Sequence, residues 1–332
     1  MTFDLHLHTM TYPGLRRNRQ RATASPPRPA AVPRQPLSLP PPVPPPPPPP
    51  PPAQAAALTS HHIHPADDFE RQATHLIPAT VRMISGCHTE ETSADCRNVL
   101  SNSTNLPHPA GRAGGACTSA LLDLLYHHHH HANNNNASKT TLTFQELLVT
   151  LRSKLAAQGF DQIPQLTSSR PLDVQATPFD LGGHTGTKRA LLIGINYRGQ
   201  VPGELSGCHN DVHNMRHYLT TVQGFEPHQI LVLMDDGRHN APTRKHIVLA
   251  LRQLVAQSGA GDAVFVLYSG HGGLMDPAPT NWFKKKGQKE FDETLYPVDH
   301  NVSGQIRDFN LYRHFVQPMP AGVTVTAVMD CW

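Results

Sequence analysis

The segment DAVFVLYSGHGG, residues 262–273, decides how this chain is read. Its first part is apolar without alternation, which predicts a strand buried on both faces. It runs into Ser269, Gly270, His271, Gly272 and Gly273, so a histidine sits just past the strand, bracketed by glycines. Such glycines let backbone approach a ligand closely and leave amide groups to point at an oxyanion. Moving outward, RALLIGINY (189–197), QILVLMD (229–235) and VTVTAVMD (323–330) predict further buried strands. Between them lie predicted helices at 211–224, closed by Gly224, at 242–259, with Pro242 in its first turn, and at 308–316. Apolar strands alternating with helices predict an α/β fold with a mostly parallel central sheet and helices on both faces. In such sheets the site lies at the carboxyl ends of the strands.

A second strand end carries a reactive group. After VMD the chain reads Cys331 and Trp332. A thiol and an imidazole on neighbouring strand ends make a nucleophile–base pair, in which the thiolate attacks a carbonyl and the imidazole takes and returns the proton. A histidine between glycines is also a common turn residue, and Asp211 at the start of a predicted helix also reads as an N-cap.

Upstream, residues 78–182 predict a first ordered block. VRMISG (81–86) reads as a strand, AGGACTSALLDLLY (113–126) as a helix with small residues at its start, and IPQLTSS (163–169) as a short strand. TFQELLVTLRSKLAAQG (143–159) is an amphipathic helix with Thr143 as N-cap, Glu146 three residues on and Gly159 at its end. HHHHHANNNN (127–136) reads as a low-complexity loop, and residues 183–187 as a linker.

Residues 1–77 are different in kind. Of 33 prolines, 18 precede Ala53, and large apolar residues are nearly absent. That composition predicts a disordered arm with polyproline character, a spacer or a ligand for an aromatic groove. Six arginines against Asp4 give the first 60 residues a charge of +5, leaving −2 for the rest of a chain whose net charge is +3. Nothing in the remainder points to a nucleic-acid partner. The five cysteines are widely spaced with no CxxC, which predicts neither a disulfide framework nor a zinc site and implies a reducing, cytoplasmic home. No run reaches membrane-spanning length. The histidine runs, His127–His131 with His61, His62 and His64, carry ligands for a transition metal but no fixed geometry.

Six segments in register over about 145 residues resemble the landmarks of the metacaspase large subunit: KRALLIGINYRGQVPGELSGCHNDVHNMRHYL, ILVLMDD, PTRKHI, FVLYSGHGG, DETLYPVD and GVTVTAVMD. The resemblance implies a caspase-like sandwich and a cysteine endopeptidase cleaving protein or peptide substrates after Arg or Lys. It implies that His271 is the catalytic histidine, that the Gly272 amide helps form the oxyanion hole, and that Cys208, Asp211, Ser269 and Asp330 line a pocket for the basic side chain. Two carboxylates facing a guanidinium suit that task. The family pattern runs Asp, then Cys or Ser, then the catalytic Cys. Strict spacing therefore sets Trp332 at the nucleophile position and Cys331 before it, and Cys331 serves only if the last strand shifts by one residue. The resemblance also implies calcium, held by Asp276, Asp292 and Glu293, although the acid-rich stretch usual between them is replaced by one with Lys284, Lys285 and Lys286, which also reads as a self-cleavage site.

The first block resembles the metacaspase small subunit in MISGCHTEETSADC, AGGACTSALL, FQELLVTLRSKL and QIPQLTSSRPLDVQATPFDL, with Glu91 in place of the usual Gln. Its position before the large-subunit region (188–332) resembles the permuted type III metacaspases; a broken tandem is the other arrangement that gives this order. Two functional expectations follow: an Arg/Lys-directed cysteine peptidase, or a non-catalytic caspase-like protein acting by association.

Overall fold

The computed structural model describes residues 74–86, 95–96, 114–134, 142–182, 185–276 and 291–331. The proline-rich arm up to residue 73, Glu91, Lys284–Lys286 and Trp332 lie outside the described residues.

A six-stranded sheet organises the chain. Its strands are β1 (Thr80–Ser85), β4 (Gln165–Ser168), β5 (Lys188–Gly194), β6 (Ile230–Met234), β7 (Ala263–Gly270) and β11 (Thr324–Cys331), in the order β4-β1-β11-β7-β5-β6. All neighbours are parallel except β4, which runs antiparallel to β1 at one edge. Strands from both halves of the sequence therefore share one sheet, with β11 between β1 and β7. Every residue of β7 is buried, as its unbroken apolar run requires at the centre of a covered sheet.

The period of two sorts β11 onto two faces. Val325, Ala327, Met329 and Cys331 join one apolar cluster, with Tyr197, Tyr268 and the helix Arg244–Gln257. Val328 faces the other cluster, under the helices α1 (Ala116–Asn134), α2 (Phe144–Ala157) and α3 (Cys208–Thr221). The helix Arg244–Gln257 is α4. Two smaller sheets complete the strand set: β8 (Gly272–Met275), β9 (Asp292–Leu295) and β10 (Ile306–Arg307), and the short pair β2 (Asp95–Cys96) and β3 (Gly114–Gly115).

Several local expectations hold. Thr143 caps α2 through the Glu146 amide, and the Glu146 carboxylate accepts from the Thr143 amide. Gly159, at φ 83°, follows the helix, where a left-handed residue is needed. Others change. Residues 127–134 are not a loop but the last turns of α1. The apolar stripe of Leu121, Leu122, Leu125 and Tyr126 is buried, Lys154 of α2 pairs with Asp123, and Tyr126 meets Tyr218 edge-on. That packing carries the helix into a histidine run whose propensity penalty per residue is small. Helix α3 begins at Cys208 with Gly207 as its cap, so Asp211 lies inside the first turn and is not the N-cap. Thr243 caps α4 by accepting from the His246 amide, so Pro242 stands before the cap rather than in the first turn. Strand β5 ends at Gly194 against the start of α3: a Cβ there would be 2.6 Å from the Cys208 carbonyl. The helix expected at 308–316 is one α-helical turn, Asp308–Leu311, continued as a π-helical turn, Tyr312–Val316.

Candidate active site

The parallel register brings three strand ends level. Gly194 pairs with Ser269, Asp330 with Ser269, and Cys331 with Gly270. At this rim the residues sort into two groups, one on each face of the sheet.

On the face of α1 and α3 sits a carboxylate pair. Asp211 (1% exposed) and Asp330 (0%) are both sealed from solvent. The Asp211 oxygens accept from the Gly115 amide at 3.1 and 3.0 Å and from the Ser269 hydroxyl at 2.7 Å. Asp330 Oδ2 accepts from the Thr118 amide at 2.9 Å and the Thr118 hydroxyl at 2.7 Å. Gly115 lies between them: a Cβ there would stand 2.1 Å from Asp330 Oδ2 and 2.9 Å from Asp211 Oδ2. The end of β3 and the first turn of α1 thus deliver one amide donor to each acid, where the positive end of a helix also favours negative charge. Asp211, Ser269 and Asp330, expected to act together, do converge. Gly115 and Thr118 join them from the other half of the sequence, which the large-subunit motifs gave no means of seeing. Cys208 is wholly buried; its amide donates to Asn196 Oδ1 at 3.0 Å, and it borders Tyr197 and Tyr268.

On the opposite face stands His271. Its Nε2 lies 2.7 Å from the Gly203 carbonyl. A carbonyl only accepts, so Nε2 carries a proton, and in the neutral ring Nδ1 is the basic nitrogen. Its ring lies on that of Tyr197, centroids 4.6 Å apart. The Tyr197 hydroxyl accepts from the His271 amide at 2.9 Å and donates to the Tyr296 carbonyl at 2.7 Å. The Tyr268 hydroxyl donates to the His271 carbonyl at 2.8 Å and lies 3.2 Å from that of Tyr197. Burial drives both phenol pKa values well above the ordinary tyrosine value, so both remain neutral donors. A side chain on Gly270 would meet both hydroxyls at 3.0 Å, which explains one glycine of the bracket.

Tyr197 has a φ of 50°, the one non-glycine residue at positive φ among the described residues. That conformation costs on the order of 1–2 kcal/mol. Asp235, at the end of β6, holds it in place. Asp235 Oδ1 accepts from the Asn196 amide at 2.9 Å and lies 2.6 Å from His209 Nε2, and Oδ2 accepts from the Arg198 amide at 3.4 Å. Burial raises the Asp235 pKa, but the His209 bond and the two amides outweigh it and leave it below the usual carboxylate range. Neither the Gly203 carbonyl nor the Tyr197 backbone had a signal in the sequence, because both roles belong to the main chain.

Cys331 is 3% exposed and free of disulfide bonding. Strand alternation turns it to the Tyr268 face, away from its neighbour Asp330. Gly272 begins β8, opposite Leu295.

Asp276, Asp292 and Glu293, the acids expected to hold calcium, lie beside Arg307 and in β9. The Arg307 guanidinium donates to Asp292 Oδ2 at 2.5 Å and to the Asp276 carbonyl at 2.7 Å. Asp292 and Glu293 are consecutive in β9 and so point to opposite faces. No three His, Cys, Asp or Glu residues converge as a metal site among the described residues. A cation therefore already meets Asp292, and it belongs to the protein. Among the described residues no helix is long and apolar enough to cross a membrane.

The chain is similar to known proteins. The family model "Metacaspase, peptidase C14 domain" matches residues 188–332. A protein of Phaeodactylum tricornutum named Metacaspase III c is 46% identical over 269 residues, covering 80% of this chain and 75% of that protein. Metacaspase-1 of Botryotinia fuckeliana is 39% identical over 158 residues, covering 47% of this chain and 36% of that protein. Metacaspase-1 of Sclerotinia sclerotiorum is 40% identical over 154 residues, covering 46% and 34%. The chain thus spans about three quarters of the first relative and about a third of the two fungal proteins. With β1 and β4 of the first block built into the same sheet as the matched region, and with 46% identity across both halves, the chain belongs to the metacaspases, a family of cysteine peptidases with a caspase-like fold.

Proposed function

We propose that this chain is an endopeptidase unit that cleaves after arginine or lysine through a Cys–His pair. The observation that carries the reading is the convergence of Asp211 and Asp330, both buried, at the strand ends that also bear His271. Two carboxylates held by amide donors make an anionic floor, and a guanidinium or ammonium of a bound peptide is its complement. The main chain around the scissile bond then lies toward His271.

In this reading the thiol proton passes to His271 Nδ1, while Nε2 keeps its proton on the Gly203 carbonyl. The thiolate attacks the scissile carbonyl carbon, and the Gly272 amide donates to the oxyanion. The imidazolium returns its proton to the departing amine, and water, deprotonated by the same nitrogen, hydrolyses the thioester. Cys331 is the candidate thiol, paired in register with Gly270, and it serves when the end of β11 turns its sulfur out of the apolar face. The seal over Cys331 favours a second reading for this chain, a non-catalytic partner protein with the pocket but no working nucleophile.

The test is hydrolysis of fluorogenic peptides with Arg, Lys, Asp or norleucine before the bond, by a sequence-verified chain and its Asp330→Asn, His271→Ala and Cys331→Ser variants. Cleavage confined to Arg and Lys, lost in all three variants, is expected. Equal cleavage of norleucine peptides would remove the pocket assignment. No turnover by the parent chain, with tight binding of an Arg peptide, would favour the second reading.

A further inference from the structure

The His271 ring is gripped by a segment whose shape is set elsewhere. Residues 195–205 run from the end of β5 around the histidine. The Ile195 amide donates to the Ser269 carbonyl at 3.0 Å, and the Leu205 amide to the Asn196 carbonyl at 2.9 Å. Within this segment the Tyr197 carbonyl accepts from the Gln200 amide at 2.9 Å, and the Gln200 carbonyl accepts from the Gly203 amide at 2.7 Å. Two successive turns therefore connect the Tyr197 backbone to Gly203, whose carbonyl holds His271 Nε2. Tyr197 touches the histidine at its other points too: ring against ring, and hydroxyl to amide. One residue fixes the floor of the imidazole, its main-chain end and, through two turns, its distal nitrogen.

That residue adopts a backbone conformation it would not choose unaided. The amides on either side, of Asn196 and Arg198, both donate to the Asp235 carboxylate. This carboxylate is seated in turn by His209 from the first turn of α3. Two amides closing on one anion impose a tight concave backbone between them. A strained residue persists only where its surroundings over-determine it, and such residues cluster at functional sites.

We propose that Tyr197 is a positioning residue for His271, and that the His209–Asp235 pair acts through it by holding its backbone in the left-handed conformation. The proposal rests on His271 being the base, but its test does not require turnover. The full chain is labelled with ¹⁵N-histidine, and the ring nitrogens of His271, assigned by loss of signal in His271→Gln, report tautomer and protonation midpoint. In the parent chain the Nε2–H tautomer is expected to dominate once the ring is neutral. Tyr197→Phe removes one oxygen and keeps the ring, and Asp235→Asn leaves Tyr197 itself intact. Both are expected to lower the Nε2–H share and move the midpoint, the second by less. Tyr312→Phe is the control, since its hydroxyl also donates to a main-chain carbonyl, that of Leu76 at 3.0 Å, in the same core cluster. It is expected to leave His271 unchanged.

Unchanged His271 signals in folded Tyr197→Phe and Asp235→Asn chains would overturn the proposal. So would an equal change in Tyr312→Phe, which would mark a general loosening of the core. In a chain that turns over peptide, Tyr197→Phe is expected to lower kcat about tenfold with KM nearly unchanged. A rise in KM alone would also count against it.

Discussion

Replacing Gly115 by alanine tests the carboxylate pocket without touching either acid. The added Cβ would stand 2.1 Å from Asp330 Oδ2 and 2.9 Å from Asp211 Oδ2, and both side chains are buried. Relief requires Asp330 to move by about 1 Å, away from the Thr118 amide and hydroxyl that hold it at 2.9 and 2.7 Å. Overpacking of this kind costs ~1–3 kcal/mol, and weakening a hydrogen bond to a buried charge adds ~1.5–3 kcal/mol. The sum is about 2.5–6 kcal/mol, which for a domain of this size lowers Tm by about 5–24 °C. Gly159→Ala is the reference: Gly159 has φ 83° and nothing within 4 Å of its would-be Cβ, so only the left-handed backbone penalty of ~1–2 kcal/mol applies. Thermal melts by circular dichroism of the parent and both variants measure the difference. If Gly115→Ala melts no lower than Gly159→Ala, the acids are not packed around Gly115 as described, and the anionic floor loses its basis.

Three further outcomes are expected. Asp235 has a folded pKa below its unfolded value of about 3.9, so its contribution is complete above that pH and is lost as pH falls through the folded value; melts taken from pH 6 to pH 2 should show a shallower acid-side drop for Asp235→Asn, and an identical drop would contradict the assignment. Thr143→Ala removes an exposed cap far from the rim and should cost ~1 kcal/mol of stability with peptide binding unaffected; denaturant unfolding and a binding titration read the two separately. Calcium at millimolar concentration should leave Tm unchanged, because Arg307 already neutralises Asp292; a rise of several degrees would show that the ion displaces the guanidinium or binds at other residues.

The strands and most helices were legible because burial on both faces writes itself as unbroken apolar runs, as in β7, and because capping residues such as Thr143 act locally. The helix through His127 was not legible: its stability comes from Leu121, Leu125 and Tyr126 packing on distant partners, and the histidines themselves say little. The two acids were legible as individual residues through the family resemblance, but their juxtaposition with Gly115 was not, since it depends on pairing between segments more than 90 residues apart. Asp211 illustrates the ambiguity of a local signal, for an acid near a helix start reads as a cap until the tertiary partner is seen. The hold on His271 was least legible of all. It runs through the Gly203 carbonyl and the Tyr197 dihedral, which are properties of the main chain and are shared in principle by any side chain.

The order of strands in the main sheet bears on how the chain acquires its shape during synthesis. Strand β11 is laid between β1 and β7, both of which leave the ribosome before it. Until β11 emerges, β1 with its β4 companion and the β7-β5-β6 trio each expose an open apolar edge toward the space it will fill. Nascent chains should therefore depend on holding factors until β11 emerges, and a messenger that stalls just short of codon 324 should yield a product prone to aggregate through those two raw edges.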